Sequence, residues 1–389
     1  MNLSITPRPL AGTVTPPPSK SLTHRLLIAD ALTGNQSILH HLADSRDIQA
    51  TRRCLQALFS PSDDLPRLDC GESGSTLRFL LPLALVLRGS AVFTGQGRLL
   101  DRPLGPYESI CREQSISFRR EKEGIFVEGN LSPGIFSLPG DVSSQFITGL
   151  LFALPLLWES SEIRLITPLE SQSYVNLTLD VLRRFHIQAA WKDAHTLSVP
   201  GGQRYQPAVV SVEPDWSQGA FWFVANFLGS ALRIDGMNFA SVQGDRAVCS
   251  FYQQLAQPGD VTLDLSDCPD LLPPLAVMAA VRSGVTVFPH LHRLRYKESD
   301  RIAATVSMLR SLGAQAEELP EDGLRISGQA ALPGGTVDGA GDHRIVMAAA
   351  IAAISCTGPV SILGAEAVEK SYPLFFEEYQ RLGGEIHVL

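Results

Sequence analysis

Several short segments of this sequence place cations, hydroxyls and glycines together in a way that suits anion chemistry. Ser19-Lys20-Ser21 is followed by His24 and Arg25. Lys20 and His24 lie four apart, as do Ser21 and Arg25, so on a helix each pair shares a face. Two cations and two hydroxyls opening an apolar stretch suit a bound phosphate better than a solvated surface. The segment is no Walker A loop, because the glycines before Lys-Ser are absent. In Gly71-Glu72-Ser73-Gly74-Ser75-Thr76 the glycines let backbone N–H groups approach a ligand, and Ser75 adds a hydroxyl. Arg102, after the Gly95-Gln96-Gly97 loop, could reach a carboxylate or phosphate or serve a loop salt bridge. Ser143-Ser144-Gln145 supplies two hydroxyls and an amide where capping a helix needs only one group.

The second half of the chain repeats the theme. Asp270 heads an apolar stretch, either as its N-cap or as an acceptor or general base for bound hydroxyls. Arg295-Tyr296-Lys297-Glu298-Ser299-Asp300-Arg301 is the densest charged run. Lys297 and Arg301, four apart, repel on a helix by about 0.2–0.5 kcal/mol. Glu298 and Asp300 could offset that, or an anion could sit between the cations. Gly341-Asp342-His343-Arg344 and Glu369-Lys370-Ser371-Tyr372-Pro373 add an arginine, a lysine and a histidine.

The elements that must position these groups recur along the chain. A small polar cluster followed by about a dozen apolar residues occurs at Pro18–Leu32, Ser73–Leu87, Val142–Leu157, Pro214–Leu228, Pro269–Val281 and Asp342–Ile354. Ser19, Ser73, Ser143, Asp215, Asp270 and Asp342 are the candidate N-caps. Stretches apolar nearly all round mark buried helices. Amphipathic helices are expected near Asp47–Phe59, Pro103–Glu113, Tyr174–Phe185, Asp245–Ala256, Glu298–Leu312 and Pro373–Leu382. Strands such as Arg164–Thr167, Val209–Val212, Val261–Leu265 and Glu385–Val388 fill the gaps. The unit reads strand, buried helix, strand, amphipathic helix, strands, six times over, which divides the chain into two similar α/β halves. Each helix N-terminus offers about four free N–H groups and roughly half a positive charge, so several aimed at one place make an anion site.

Composition excludes other classes. The 389 residues are 44% hydrophobic and 19% charged, enough to bury two cores. The balance of 32 Lys and Arg against 40 Asp and Glu gives −8, which disfavours nucleic acid as a partner. No apolar run reaches the roughly 18–20 residues of a membrane span, and the N-terminus has no signal-peptide character, so a cytoplasmic protein is expected. Six scattered cysteines with no CxxC fit reduced, packed thiols. His40-His41 and His290-x-His292 have no partners at ligand spacing, so no metal is expected. No GxGxxG follows a strand, and a GxSxG elbow is absent.

Taken together, the segments resemble the family of 5-enolpyruvylshikimate-3-phosphate synthases (3-phosphoshikimate 1-carboxyvinyltransferases) over nearly the whole chain. Ser19-Lys20-Ser21, Val142-Ser143-Ser144-Gln145-Phe146, Lys297-Glu298-Ser299-Asp300-Arg301 and Asp342-His343-Arg344 carry the resemblance most specifically. It implies an inside-out α/β barrel of the enolpyruvyl transferase type: two similar domains, each of three βαβαββ units around buried parallel helices. It also implies that residues 1–17 plus 215–389 form one domain and 18–214 an inserted second, with the active site in the cleft between them.

By the same resemblance, shikimate-3-phosphate is held by Lys20, Ser21, Arg25, Ser143, Ser144, Ser171, Tyr174, Asp270 and Lys297. Phosphoenolpyruvate is held by Lys20, Gly74, Arg102, Gln145, Arg301, His343, Arg344 and Lys370. The catalytic candidates are Asp270, Glu298, Lys20 and Lys370, with no cofactor, and a monomer is expected. The activity implied is transfer of the enolpyruvyl group to the 5-hydroxyl of shikimate-3-phosphate, with release of phosphate, on the route to chorismate and aromatic amino acids. Glu72 and Arg293 depart from the family pattern, which has Asn at the first place in many members and, at the second, in some members an Asn that contacts the shikimate phosphate, a contact not carried over to Arg293. Two alternatives remain: a transferase acting on UDP-N-acetylglucosamine, which characteristically has Lys-Asn near its start and a reactive loop Cys, and a non-catalytic anion-binding relative.

Overall fold

The computed structural model describes residues 1–62 and 64–389. The chain divides into two compact units, one of Met1–Pro18 with Glu213–Leu389 and the other of Ser19–Val212. Each is built on three helices that are buried along almost their whole length. In the Ser19–Val212 unit these are Lys20–Leu32, Gly74–Leu87 and Ser144–Ala153. In the other they are Trp216–Phe227, Leu272–Val281 and His343–Ala352. Ala, Leu, Ile and Phe on every side of these helices leave no polar face to solvate, so they fill the core.

Sheets surround each helix trio. In the Ser19–Val212 unit, Arg67–Asp69 runs parallel to Ser90–Thr94, which pairs antiparallel with Gly124–Glu128, itself antiparallel to Ser117–Glu121. The same scheme joins Ile135–Leu138, Ser161–Leu165, Thr196–Val199 and Ala190–Trp191. The other unit repeats it with Val261–Thr262, Val285–Phe288, Gly323–Ser327 and Gln315–Leu319. In its second sheet the N-terminal strand Leu3–Thr6 is inserted between Val360–Leu363 and Glu385–Val388. The third sheet of each unit is a parallel pair: Ala11–Val14 with Ala231–Ile234, and Ile38–His40 with Val209–Ser211. Among the described residues, the strand pair in these two repeats forms without the two antiparallel strands of the full scheme.

Local chemistry explains most helix starts. The side chains of Ser19, Ser73, Ser143, Asp215 and Asp342 each accept from a backbone N–H in the first turn, as their residue types predict. Asp270 does not. It lies in a 3-10 turn, Pro269–Leu271, and the following helix begins at Leu272 with no side-chain cap. The amphipathic helix expected from Glu298 begins at Arg301, where the Asp300 carboxylate accepts from Ala303 N at 3.1 Å. Lys297 closes a separate 3-10 turn, His292–Tyr296, in extended backbone, so it shares no helix face with Arg301.

One packing detail bears on the site. Pro82 lies inside the Gly74–Leu87 helix and cannot donate to the carbonyl of Arg78, one turn back. The Tyr107 hydroxyl takes that place, 2.7 Å from Arg78 O and 3.1 Å from Phe146 O. Gly149 makes room for this clasp, because a Cβ there would collide with the Tyr107 hydroxyl and the Arg78 carbonyl.

Candidate active site

In the Ser19–Val212 unit the three buried helices begin with the residues singled out above. Lys20 reaches back to Asp47, with 2.9 Å between Nζ and Oδ2. Arg25 is buried, and its guanidinium donates to Thr178 Oγ1 at 2.8 Å, Ser21 O at 2.7 Å, Tyr174 O at 3.1 Å and Thr148 Oγ1 at 3.4 Å. These partners are neutral. Burial without a countercharge pulls the Arg25 pKa down to about 10. His24 faces away from this group. Its Nδ1 lies 2.7 Å from Thr51 Oγ1, which lies 2.6 Å from Thr76 Oγ1, which donates to Ser73 Oγ at 2.7 Å. This buried hydroxyl chain links the start of one core helix to the next. Burial first, then the charges of Lys20 and Arg25, hold His24 well below its usual pKa, so it is neutral.

Gly74 opens its helix at a crowded point. A Cβ built there would stand 2.7 Å from Arg102 Nη1, 2.9 Å from Arg78 Nη1 and 3.6 Å from Gln145 Oε1. Two guanidinium groups and an amide thus converge beside the free N–H groups of a helix start, which is an arrangement for a phosphate. Gln145 is oriented at both ends, its oxygen accepting from Arg78 Nη1 at 2.7 Å and its nitrogen donating to Ser75 Oγ at 3.0 Å. Ser143 caps its helix through Gln145 N, and Ser144 is buried beside it. Ser171 stands at the start of Gln172–Arg184 in the left-handed region, with φ 57°, and its carbonyl accepts from Tyr174 N.

The other unit gathers a compact charged cluster. Asp270 accepts from Arg301 Nη1 at 2.7 Å and from Arg344 Nη2 at 3.1 Å, and Lys297 Nζ lies 3.4 Å away. Arg344 also donates to the Asp270 backbone carbonyl at 3.2 Å. Burial pushes the Asp270 carboxyl up, but Arg344, Lys297 and Arg301 together outweigh it and hold it well below the usual carboxylate range. Arg301 is 1% exposed and is shared among Asp270, Glu298 at 2.6 Å and Asp342 at 2.9 Å. Ser299 Oγ donates to Asp342 at 3.0 Å. His343 is buried, with Nδ1 3.8 Å from Asp342 Oδ1. Lys370 donates to Gly341 O at 2.8 Å, at the turn before this helix. Arg293 is buried and donates to the carbonyl of Ser266.

So Lys20, Ser21, Arg25, Ser171 and Tyr174 lie around one helix start, and Gly74, Arg102 and Gln145 around another. Asp270, Lys297, Glu298, Arg301, Arg344, His343 and Lys370 lie in the second unit. Three participants escape the sequence reading. Asp47 and Arg78 carry no local signal, since each partner is a distant segment. Asp342 reads as a cap only, yet its carboxylate also fixes Arg301 and Ser299.

The sequence profile described as EPSP synthase (3-phosphoshikimate 1-carboxyvinyltransferase) matches residues 5–65 and 59–379. The chain belongs to the EPSP synthase family. It is 38% identical over 427 aligned positions to the 3-phosphoshikimate 1-carboxyvinyltransferase of Clostridium novyi, covering 99% of this chain and 98% of that protein. Identity to the enzyme of the same name from Clostridium kluyveri is 40% over 417 positions, with the same coverage. Among solved structures, EPSP synthase from Acinetobacter baumannii superposes with a TM-score of 0.78 at 22% identity, covering all of both chains. The enolpyruvyl transferase NikO from Streptomyces tendae gives 0.75 at 16% identity, covering 99% of this chain and 98% of that one. These two share the fold with the EPSP synthase family member described here, the inside-out α/β barrel of enolpyruvyl transferases.

Proposed function

We infer that this chain is a 3-phosphoshikimate 1-carboxyvinyltransferase: it transfers the enolpyruvyl group of phosphoenolpyruvate to the 5-hydroxyl of shikimate-3-phosphate and releases phosphate. Full-length similarity to relatives named for that reaction supports the activity. The observation that carries the chemistry is the fork of Arg301 and Arg344 closed on one carboxylate, Asp270. Two buried guanidinium groups already placed for a carboxylate suit the carboxylate of phosphoenolpyruvate.

The reaction brings two polyanions together, so charge neutralisation is the main task of the protein. In this proposal Gly74, Arg102, Gln145, Lys20 and Lys370 take the phosphate of phosphoenolpyruvate, while Arg301, Arg344 and His343 take its other end. Lys20, Ser21, Arg25, Ser143, Ser144, Ser171, Tyr174, Lys297 and Asp270 hold shikimate-3-phosphate. The 5-hydroxyl adds to C2 while C3 gains a proton and becomes a methyl group. The tetrahedral adduct then loses one proton of that methyl group, together with the phosphate, which restores the double bond. Asp270 serves as base for the hydroxyl. Its carboxylate is a weak base while three cations hold it, and it strengthens once Arg301 and Arg344 turn to the substrate carboxylate. Glu298 and Lys370 carry the proton to and from C3. Holding both reactants in line supplies much of the acceleration.

We propose a cytoplasmic monomer; six free thiols, five of them buried, are consistent with a reducing compartment. No helix among the described residues is long and apolar enough to cross a membrane. The test is phosphate release from phosphoenolpyruvate with each acceptor in turn. Release that needs shikimate-3-phosphate supports the proposal; release with UDP-N-acetylglucosamine instead, or with neither, rejects it.

A further inference from the structure

Arg78 is a buried cation that the proposed chemistry does not use. Its guanidinium spans three segments. Nη1 donates to Gln145 Oε1 at 2.7 Å, and Nη2 donates to Pro103 O at 3.2 Å, the residue after Arg102. Its own carbonyl, freed by Pro82, is clasped by Tyr107, which also touches Phe146 O. The guanidinium lies over the Phe146 ring, 5.2 Å from its centroid. Gly74 is the neighbour whose Cβ position lies 2.9 Å from Nη1.

We propose that Arg78 is a positioning residue that sets the orientation of the Gln145 amide and the Arg102 loop, and through them the affinity for the phosphate of phosphoenolpyruvate. The inference rests on the reading of Gln145, Arg102 and Gly74 as the phosphate subsite. An amide has an acceptor end and a donor end. Arg78 takes the acceptor end and so turns the NH2 group toward Ser75 and toward an incoming phosphate, which needs donors. A flipped amide would present its oxygen to the anion. The bond to Pro103 O anchors the chain where Arg102 begins its reach. A lysine cannot replace this function, because one ammonium cannot hold two acceptors in a fixed planar fork.

The test is a double-mutant cycle of Arg78→Met and Gln145→Met, measuring KM for each substrate and kcat. Met keeps the stem length over Phe146. Loss of one bond to a charged group predicts a rise in KM for phosphoenolpyruvate of about tenfold for Arg78→Met. KM for shikimate-3-phosphate stays within about twofold. Because Arg78 acts largely through Gln145, the double variant is far less impaired than the product of the two single effects. Multiplicative effects, an unchanged KM for phosphoenolpyruvate, or an equal rise for both substrates would overturn the assignment. If Arg78→Met does not fold, Arg78→Lys replaces it in the cycle, with the same expected rise and the same overturning outcomes. Inactivity of the unsubstituted protein with both substrates would instead sink the underlying functional reading, so the two failures are distinguishable.

Discussion

Replacing Gly74 by alanine separates binding from folding. The new methyl group would stand 2.7 Å from Arg102 Nη1 and 2.9 Å from Arg78 Nη1. Ordinary contacts at such atoms lie near 3.5 Å, so each guanidinium must retreat by roughly 0.6–0.8 Å. Both atoms are the ends of long side chains, so the backbone need not move. Gly74 is the first residue of its helix, where alanine is favoured over glycine by up to about 1 kcal/mol. Stability should therefore be unchanged or slightly higher. The phosphate subsite should weaken, since charge-assisted bonds are worth about 1.5–3 kcal/mol and a shift of this size forfeits a good part of one. A loss of about 1.4 kcal/mol corresponds to a tenfold rise in KM for phosphoenolpyruvate. Steady-state kinetics with each substrate varied in turn, alongside thermal unfolding, decides the matter. A fall in Tm of several degrees, an unchanged KM for phosphoenolpyruvate, or an equal rise for shikimate-3-phosphate would refute the reasoning.

Asp270→Asn removes the one carboxylate shared by Arg301, Arg344 and Lys297. Breaking such a buried pair costs about 3–5 kcal/mol, and the low end applies because Glu298 and Asp342 still hold Arg301. The Asp270 carboxyl is held low in the folded state, so its contribution is present above about pH 4 and fades as pH falls through the folded value. Urea midpoints of the two proteins should differ at pH 7 and converge in acid. His24 is kept neutral when folded but takes a proton below about pH 6.5 when unfolded, so stability should decline as pH falls below that value. His24→Gln should flatten this slope in unfolding followed from pH 7.5 to 5. Arg25→Met exchanges a buried cation with neutral partners for a neutral side chain, so Tm should move by only a few degrees. KM for shikimate-3-phosphate should rise at least about tenfold, read by the same kinetics.

Much of the frame is legible in the sequence because its signals are local. Ser19, Ser73, Ser143, Asp215 and Asp342 each precede an apolar run and each caps a buried helix. Asp270 breaks the pattern because Pro269 and the residues after it form a 3-10 turn, and three cations from elsewhere in the chain outcompete backbone N–H groups for its carboxylate. The late start of the Arg301 helix has a similar cause. Asp300 is a better cap than Glu298, whose carboxylate is committed to Arg301. The pairing of Lys20 with Asp47 and of Arg78 with Gln145 joins residues 27 and 67 positions apart, which no local pattern encodes. Likewise the strand pair Leu3–Thr6 with Glu385–Val388 joins the two ends of the chain. The family resemblance implies that the N-terminal strand belongs with the C-terminal half, where spacing cannot, but it names neither Asp47 nor Arg78.

Proton NMR of the reaction run in D2O with both substrates tests the proposed transfer at the reacting carbons. Phosphoenolpyruvate should be consumed one for one with shikimate-3-phosphate. A new pair of vinyl signals should appear on the ring ether, with solvent deuterium washed into them through the methyl stage. Pyruvate formed from phosphoenolpyruvate while the shikimate-3-phosphate signals stay unchanged would contradict it.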